Sequence, residues 1–357
     1  MEKILMNGDT PVLAFDLDEP YIEVLNNDFL PYALRDYVET TGKGSFRKSI
    51  HDISVFRDFL ASRTLNLSRD NAKAILNIVS LPQTLKTDDR IKIALTCRGL
   101  TMTDNFWIRE KNEDVSFNQV SLRHTRLSEA SYQVAILGKH ISATAEELRP
   151  DLSTAGMFPK YWARFSDTVV MCKTDKYKGN PNTLAEIECS AILKEAGAYV
   201  VRYKKSVMDG MVFSLSRCIA NDERALVSAS DIRDWCNHKG ESFYAFLEKR
   251  FKKEFADMAV ADYVTANTDR HFENWGFLVD NSTNEISAFS PLFDLNQSLI
   301  ADQFDSDIGK LVYEPTGKSF EESAAEYAAL SGLDFSGLHL PGKCRERWEA
   351  VKEARSY

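Results

Sequence analysis

Asn267-Thr268-Asp269-Arg270-His271-Phe272-Glu273-Asn274-Trp275-Gly276-Phe277-Leu278-Val279-Asp280, followed by Asn281 to Asn284 and then Glu285-Ile286-Ser287-Ala288-Phe289-Ser290-Pro291-Leu292-Phe293-Asp294, is the stretch whose reading decides the fold. Two short apolar runs, Trp275–Val279 and Ile286–Phe293, read as strands. Asp280 to Asn284 between them is made of turn-forming residues, so the runs read as an antiparallel hairpin. Asn274 stands at the start of the first strand and Asp294 at the end of the second, equidistant from Asn284. The hairpin therefore brings an amide oxygen and a carboxylate side by side, within a residue or two of register. Such a pair suits a hard divalent cation, which prefers oxygen ligands. Asp269 follows a long helical pattern and precedes a strand, which places it in a loop near that pair.

Working outward, Phe243 to Thr265 reads as one strong helix with Tyr244, Leu247, Phe251, Phe255, Met258, Val260 and Val264 on a stripe. Upstream, residues 153–217 read as strand, helix and two further strands. Ser166–Thr174 is the first strand, Leu184–Ala196 the helix, and Val200–Tyr203 and Met211–Leu215 flank a turn at Asp209-Gly210. Lys176 to Asn182 is a loop, with Asn182 or Thr183 capping the helix. Lys173 ends the apolar strand, and Glu186 and Glu188 stand early in the helix, either able to pair with it. The first 40 residues hold short apolar runs with turns, and about Phe46 to Trp107 is helical in pattern, with Pro82 ending one helix and Asp88-Asp89 opening the next. The tail from Phe320 is helical with a break near Gly332–Gly342.

The charge pattern matches that of protein kinases. There a catalytic-loop Asp and a metal-binding Asn share the spacing of Asp269 and Asn274, a strand lysine pairs with a helix glutamate, and a further Asp holds metal. Asp269 is the expected base, Asn274 and Asp294 the metal ligands. No G-x-G-x-x-G or Walker sequence occurs, and Gly42-Lys43-Gly44-Ser45 and Gly138-Lys139-His140 lack the spacing. Asp151 to Lys160 is the candidate phosphate loop, because its small residues let backbone N–H groups approach phosphate oxygens.

Together these motifs resemble the HipA family of bacterial serine/threonine kinases over about residues 150–300. Ser153-Thr154-Ala155-Gly156-Met157-Phe158-Pro159-Lys160 resembles the family's nucleotide loop, with Ser153 at the autophosphorylated position. Lys173 matches the ATP-contacting lysine. Ala185-Glu186-Ile187-Glu188 looks like the family's Asn-Glu-Tyr helix, which favours Glu186. Phe213 to Arg217 falls at the adenine hinge, so Phe213 and Leu215 join Ser153, Thr154 and Gly156 as nucleotide-binding candidates. The Asp269-Arg270-His271 spelling is that of phosphoinositide kinases, differs from HipA at Arg270, and adds His271 to the catalytic candidates.

The resemblance implies an α+β, two-lobed protein-kinase-like fold. Its N-lobe would have an antiparallel sheet and one helix, and its mainly helical C-lobe a catalytic β-hairpin. The expected division is 1–90, an N-terminal subdomain; 91–217, the N-lobe with the phosphate loop; and 218–357, the C-lobe. The implied activity is ATP- and Mg²⁺-dependent serine/threonine kinase, autophosphorylating near Ser153, with a protein substrate and a separate small antitoxin-like partner. A lipid or small-molecule kinase of the same fold, or a non-catalytic nucleotide-binding regulatory module, are the alternatives. Phe15-Asp16-Leu17-Asp18 resembles the Asp-x-Asp nucleophile of haloacid-dehalogenase phosphatases, but Glu19-Pro20 follows where that family has Thr or a small residue.

Composition is ordinary for a soluble globular protein. Of the 357 residues, 44% are hydrophobic and 27% charged, and the net charge is −9. That acidity and the lack of any long Lys/Arg run argue against direct nucleic-acid binding; Lys204-Lys205 and Lys252-Lys253 read as solvated faces. No run approaches the roughly 20 apolar residues a membrane span needs, and the N-terminus lacks a signal-peptide core. The six cysteines form no C-x-x-C pair and read as reduced, buried thiols of a cytoplasmic protein.

Overall fold

The computed structural model describes residues 2–19, 21–41, 47–84, 86–175, 177–303 and 307–356. Pro20, Gly42–Ser45, Phe46 and Lys176, named above, lie outside the described residues. By contacts the chain forms two compact units. The first is Met1–Cys172 with Cys218–Val227 and Val279–Ile286; the second is Lys173–Arg217, Ser228–Leu278 and Ser287–Tyr357. One limit, between Arg217 and Cys218, falls at the expected 217/218 boundary; none falls at 90/91, and a further limit lies between Cys172 and Lys173.

The first unit contains β1 (Lys3–Asn7), β2 (Thr10–Phe15), β3 (Ile22–Val24), β4 (Val38–Thr41), β5 (Arg47–Ile50), α1 (Ile53–Ser62), α2 (Ala72–Ile78), α3 (Thr87–Thr96), β6 (Phe106–Glu110), α4 (Phe117–Val120), α5 (Arg149–Leu152), β7 (Lys160–Phe165) and most of β8 (Thr168–Thr174). β1 to β6 make a six-stranded sheet in the order β4-β5-β3-β2-β1-β6. β1 is antiparallel to β2, with Leu5 opposite Leu13, and to β6, with Leu5 opposite Ile108. The period-two rule shows in the core: Leu5 joins Val12, Leu13, Phe15, Phe56 and Leu60 on one face, while Ile4 and Met6 join Trp107, Phe117 and Trp162 on the other. Both faces of β1 are buried, so it runs apolar from Ile4 to Met6.

The helical reading of 46–107 is corrected at both ends. β5 precedes α1, and Trp107 lies in β6, fully buried with Nε1 donating to Gly8 O at 2.7 Å. Asp88 and Asp89 do stand in the first turn of α3, and α2 ends at Ile78, before Pro82. Asp16 follows β2, which is antiparallel to both its neighbours, and its carboxylate accepts from the Asp18 N–H in a local turn. That is a turn role, not a nucleophile at the end of a parallel strand.

The second unit contains α6 (Pro181–Glu195), β9 (Lys204–Met208) and β10 (Met211–Arg217). After β11 (Arg224–Ser228), which belongs to the first unit up to Val227, come α7 (Ala229–His238), α8 (Phe243–Arg250), α9 (Lys252–Thr265), β12 (Gly276–Asp280), β13 (Glu285–Phe289), β14 (Val312–Tyr313), β15 (Lys318–Ser319), α10 (Phe320–Tyr327) and α11 (Gly342–Ala354); the facing ends of β12 and β13, Val279–Ile286, belong to the first unit. The strand expected at Val200–Tyr203 is instead a single bridge between Val200 and Leu292, and the true strand is the polar β9. Asp209 and Gly210 both have positive φ, the requirement of a tight two-residue hairpin turn, and pair Met208 with Met211.

The long helix expected from Phe243 to Thr265 breaks at Phe251, whose φ is −141°. The break turns the Phe251 ring onto Phe277, 5.1 Å between centroids, and Phe289, 6.1 Å. These rings, with Phe243, Phe246, Phe255 and Trp275, form an aromatic core at the base of the β12–β13 hairpin. α9 is buried on all sides from Phe255 to Thr265 apart from Asp257, which is half-buried, and not along one stripe. α7, absent from the sequence reading, is capped by Ser228 and joins the hairpin start, Ala229 N to Trp275 O at 3.0 Å. Among the described residues no helix is long and apolar enough to cross a membrane.

Candidate active site

Lys173 leaves β8 pointing at α6. Its ammonium lies 3.0 Å from Glu186 Oε1 and also bonds the Asp294 carboxylate. Glu188 is exposed on another face of the helix, so the choice between the two glutamates falls on Glu186. Glu186 is fully buried, and its second oxygen accepts from Ser214 Oγ at 2.5 Å. Ser214 is on β10, beside the end of β8, where Thr174 Oγ1 donates to Val212 O at 2.7 Å. Burial disfavours the Lys173 charge, but Asp294 and Glu186 together outweigh it and hold its pKa above the ordinary lysine value.

α6 begins at Pro181, three residues before the sequence reading placed it. Neither Asn182 nor Thr183 caps it. Asp175 does so from the preceding loop, its Oδ2 accepting from Asn182 N at 2.6 Å and Thr183 N at 3.2 Å. A carboxylate there satisfies two orphan N–H groups and suits the positive helix end. Asn182 turns its side chain to Asn296 O instead, at 2.8 Å.

Asp269 lies in the loop after α9, partly buried. The loop is folded on itself: His271 N donates to Asp269 O at 3.0 Å and Asn274 N to His271 O at 2.9 Å. Asn274 Nδ2 donates to Asp269 O at 2.9 Å, which leaves Oδ1 as the amide's acceptor atom. Burial raises the Asp269 pKa above its ordinary 3.8; His271, Arg270 and Lys173 oppose the rise, and Asp294 adds to it. Asp269, Lys173 and Asp294 thus share one electrostatic neighbourhood. His271 Nδ1 accepts from Glu273 N at 3.2 Å and so shapes the loop.

At the hairpin base Ser290 N donates to Gly276 O at 2.9 Å, and Gly276 N to Ser290 Oγ at 3.2 Å. Asp294 follows with φ +53°, a left-handed conformation rare outside glycine, and its N–H donates to Tyr203 Oη at 3.2 Å. Phe213 is fully buried and Leu215 partly so; strand alternation puts both on the face of β10 opposite Ser214.

Ser153, Thr154 and Gly156 belong to the first unit. There the loop from Asp151 to Lys160 is held by Arg69, which bonds Asp151 Oδ1 and O, each at 3.1 Å, and Lys160 O. Leu65 N to Leu152 O, 2.7 Å, and Asp70 N to Met157 O, 3.2 Å, complete the anchoring. Thr154 is buried, donating to Pro150 O at 2.5 Å and accepting from Trp162 Nε1 at 3.0 Å. Ser153 is less enclosed, its hydroxyl 3.2 Å from Pro150 O and 3.3 Å from Arg149 O. Gly156 has φ +87°, a left-handed conformation that favours glycine, and a Cβ there would have to displace the tip of the Lys160 side chain.

The sequence reading gave no role to Ser214, Asp262, Arg270, Tyr203 or Tyr313. One signal was available: Asp262 is an acid inside the apolar run from Met258 to Val264, and a buried acid demands a partner.

Two solved structures resemble this chain. HipA of Shewanella oneidensis MR-1, from a toxin–antitoxin complex with HipB and operator DNA, matches with a TM-score of 0.53 and 15% identity over 99% of this chain and 90% of that one. The proinflammatory kinase CtkA of Helicobacter pylori gives a TM-score of 0.41 and 16% identity over 57% of this chain and 89% of that one. No family model and no curated protein matches the chain. The chain has an α+β fold like that of HipA, as its motifs led us to expect.

Proposed function

We propose that this chain is an ATP- and Mg²⁺-dependent serine/threonine protein kinase of HipA type. The observation that carries the reading is Lys173, buried and bonded to both Glu186 and Asp294, in the electrostatic neighbourhood of Asp269. Asp269 is the base that takes the proton of an attacking hydroxyl, and its raised pKa suits a proton acceptor. Asn274 Oδ1 and the Asp294 carboxylate fit Mg²⁺, an oxygen-seeking ion that binds through one or two carboxylates and completes its shell with phosphates and water. When bound, the ion neutralises charge on the phosphates. Lys173 contacts phosphate oxygens, and Glu186, fixed by Ser214, keeps the lysine in place. Phe213 and Leu215 contribute to the adenine site, and Ser153, Thr154 and Gly156 to the phosphate loop. His271 supports the Asp269 loop from within.

The acceptor is a serine or threonine hydroxyl, the chain's own Ser153 among them. Ser153 is the better acceptor of the adjacent pair because Thr154 is buried with its hydroxyl engaged on both sides. A separate antitoxin-like chain and a cytoplasmic setting complete the proposal. The phosphoinositide-type spelling gives no support to a lipid acceptor, since Arg270 is buried in an ion pair.

The test is transfer of labelled γ-phosphate from Mg²⁺-ATP to the protein or a protein acceptor, with the modified residue mapped. Asp269→Ala and Asp294→Ala are each expected to lower it by about 10²–10⁴-fold. Label appearing only in lipid or metabolite would replace the protein-kinase reading with a small-molecule one. Nucleotide binding without transfer to any acceptor would make the chain a regulatory module.

A further inference from the structure

Arg270 is buried and distributes its guanidinium between three segments of the second unit. Nε donates to Asp262 Oδ2 at 2.9 Å and Nη2 to Asp262 Oδ1 at 3.0 Å, a two-pronged pair with neither side chain exposed. Nη1 bonds the carbonyl of Asn274 and, at 2.9 Å, the carbonyl of Phe293. The two carbonyls belong to Asn274 itself and to the residue immediately before Asp294. One planar group therefore ties together the backbones that carry both proposed metal ligands. Asp262 is held in turn by Asn267 Nδ2 at 2.9 Å and Tyr313 Oη at 2.8 Å.

We propose that Arg270 is a positioning residue that aligns Asn274 with Asp294, and that Asp262 and Tyr313 keep its fork in plane. The inference rests on the phosphotransferase reading above. A plain core ion pair would need only the Asp262 bonds. The Nη1 bonds add what a core pair does not require, a fixed spacing between two segments that sequence separates and the hairpin rejoins. The task demands arginine: its donors leave a rigid plane in different directions, whereas a lysine ammonium is a point on a flexible stem. Outer partners of this kind typically change metal affinity or activity by about 10–100-fold when altered.

The experiment compares wild type, Arg270→Lys and Tyr313→Phe. Mn²⁺ binding is followed by electron paramagnetic resonance with a non-hydrolysable ATP analogue present. The Mg²⁺ dependence of phosphate transfer and thermal unfolding are measured alongside. Arg270→Lys is expected to weaken Mn²⁺ binding about 10–100-fold and to raise the Mg²⁺ needed for half-maximal transfer in parallel. Binding of the analogue without metal stays unchanged. Tyr313→Phe moves both readouts the same way by a smaller factor. A folded Arg270→Lys with wild-type Mn²⁺ affinity and Mg²⁺ dependence would overturn the inference while leaving the kinase reading standing. If Arg270→Lys does not fold, Tyr313→Phe decides on the same readouts, and wild-type values there would overturn it. If wild type neither binds Mn²⁺ with the analogue nor transfers phosphate, the phosphotransferase reading fails first and the inference falls with it.

Discussion

Arg69 with Asp151 in the first unit, and Lys173 with Glu186 and Asp294 in the second, are both buried charge clusters, yet they are built to opposite ends. The side chains of Arg69 and Asp151 are each 0% exposed, one cation to one anion. Lys173 is 9% exposed and serves two carboxylates, of which Glu186 is 0% and Asp294 24% exposed. A sealed pair holds backbone, here both ends of the Asp151–Lys160 loop. A cluster with one member at the solvent edge can exchange a partner, which suits a site that admits phosphate and metal. The Arg270–Asp262 pair belongs with the sealed kind, though it stands in the same unit as the open one.

The largest effect separating the two is expected at Asp269. Asp269→Asn keeps the shape and removes the base, so transfer falls by about 10²–10⁴-fold. Stability moves the other way. The folded carboxyl binds its proton more tightly than the unfolded one, so the fold loses stability as pH rises from the ordinary Asp value of 3.8 through the folded pKa. Above that window the penalty is fully present, and Asp269→Asn removes it. Thermal unfolding at neutral pH should show a higher Tm for the variant, and the gap should close below pH 3.8. Equal Tm values at neutral pH would mean that the site imposes no such cost. In wild type, the acid limb of the transfer rate should lie above the ordinary Asp range.

Arg69→Met attacks the sealed cluster. It leaves Asp151 buried without its cation and is expected to cost about 3–5 kcal/mol in denaturant unfolding. Arg69→Met with Asp151→Leu should recover much of that loss, since a matched apolar pair has no charge to compensate. A negligible cost for the single change would erase the distinction between the clusters. The smallest effect is expected from Ser214→Ala. It removes a hydrogen bond to a fully buried carboxylate, at about 1.5–3 kcal/mol. Transfer should drop with it if Glu186 positions Lys173. A loss of stability without loss of rate would confine Ser214 to the core.

Several features were legible because they are local. The β12–β13 hairpin needs only two short apolar runs and a turn, and the facing strand ends fall one residue from the expected limits; β13 stops at Phe289, four residues short of the expected Phe293, where the chain leaves the ladder ahead of Asp294. The Asp209-Gly210 turn needs only residues that tolerate positive φ. Other errors share one cause. The Phe243–Thr265 stripe looked continuous because Phe251 fits a helical face, but its ring is recruited by Phe277 and Phe289 from strands further along the chain. The cap of α6 was sought next to the helix and came from Asp175 across a loop. α7 was passed over because its apolar face is short.

Spacing along the chain was enough for the chemical inventory: a loop acid at Asp269, an amide just ahead of one hairpin strand, a carboxylate five residues past the other, and a strand lysine ahead of a helix with two glutamates. Those follow from spacing and local periodicity, which depend on near neighbours. Packing added what spacing does not contain: Ser214 holds Glu186 on Lys173, and Arg270 is buried across Asn274 and Phe293 with Asp262 and Tyr313 behind it. Each of those is a pairing of buried polar groups from distant segments. Burial makes the partner obligatory, and only packing determines which partner is within reach.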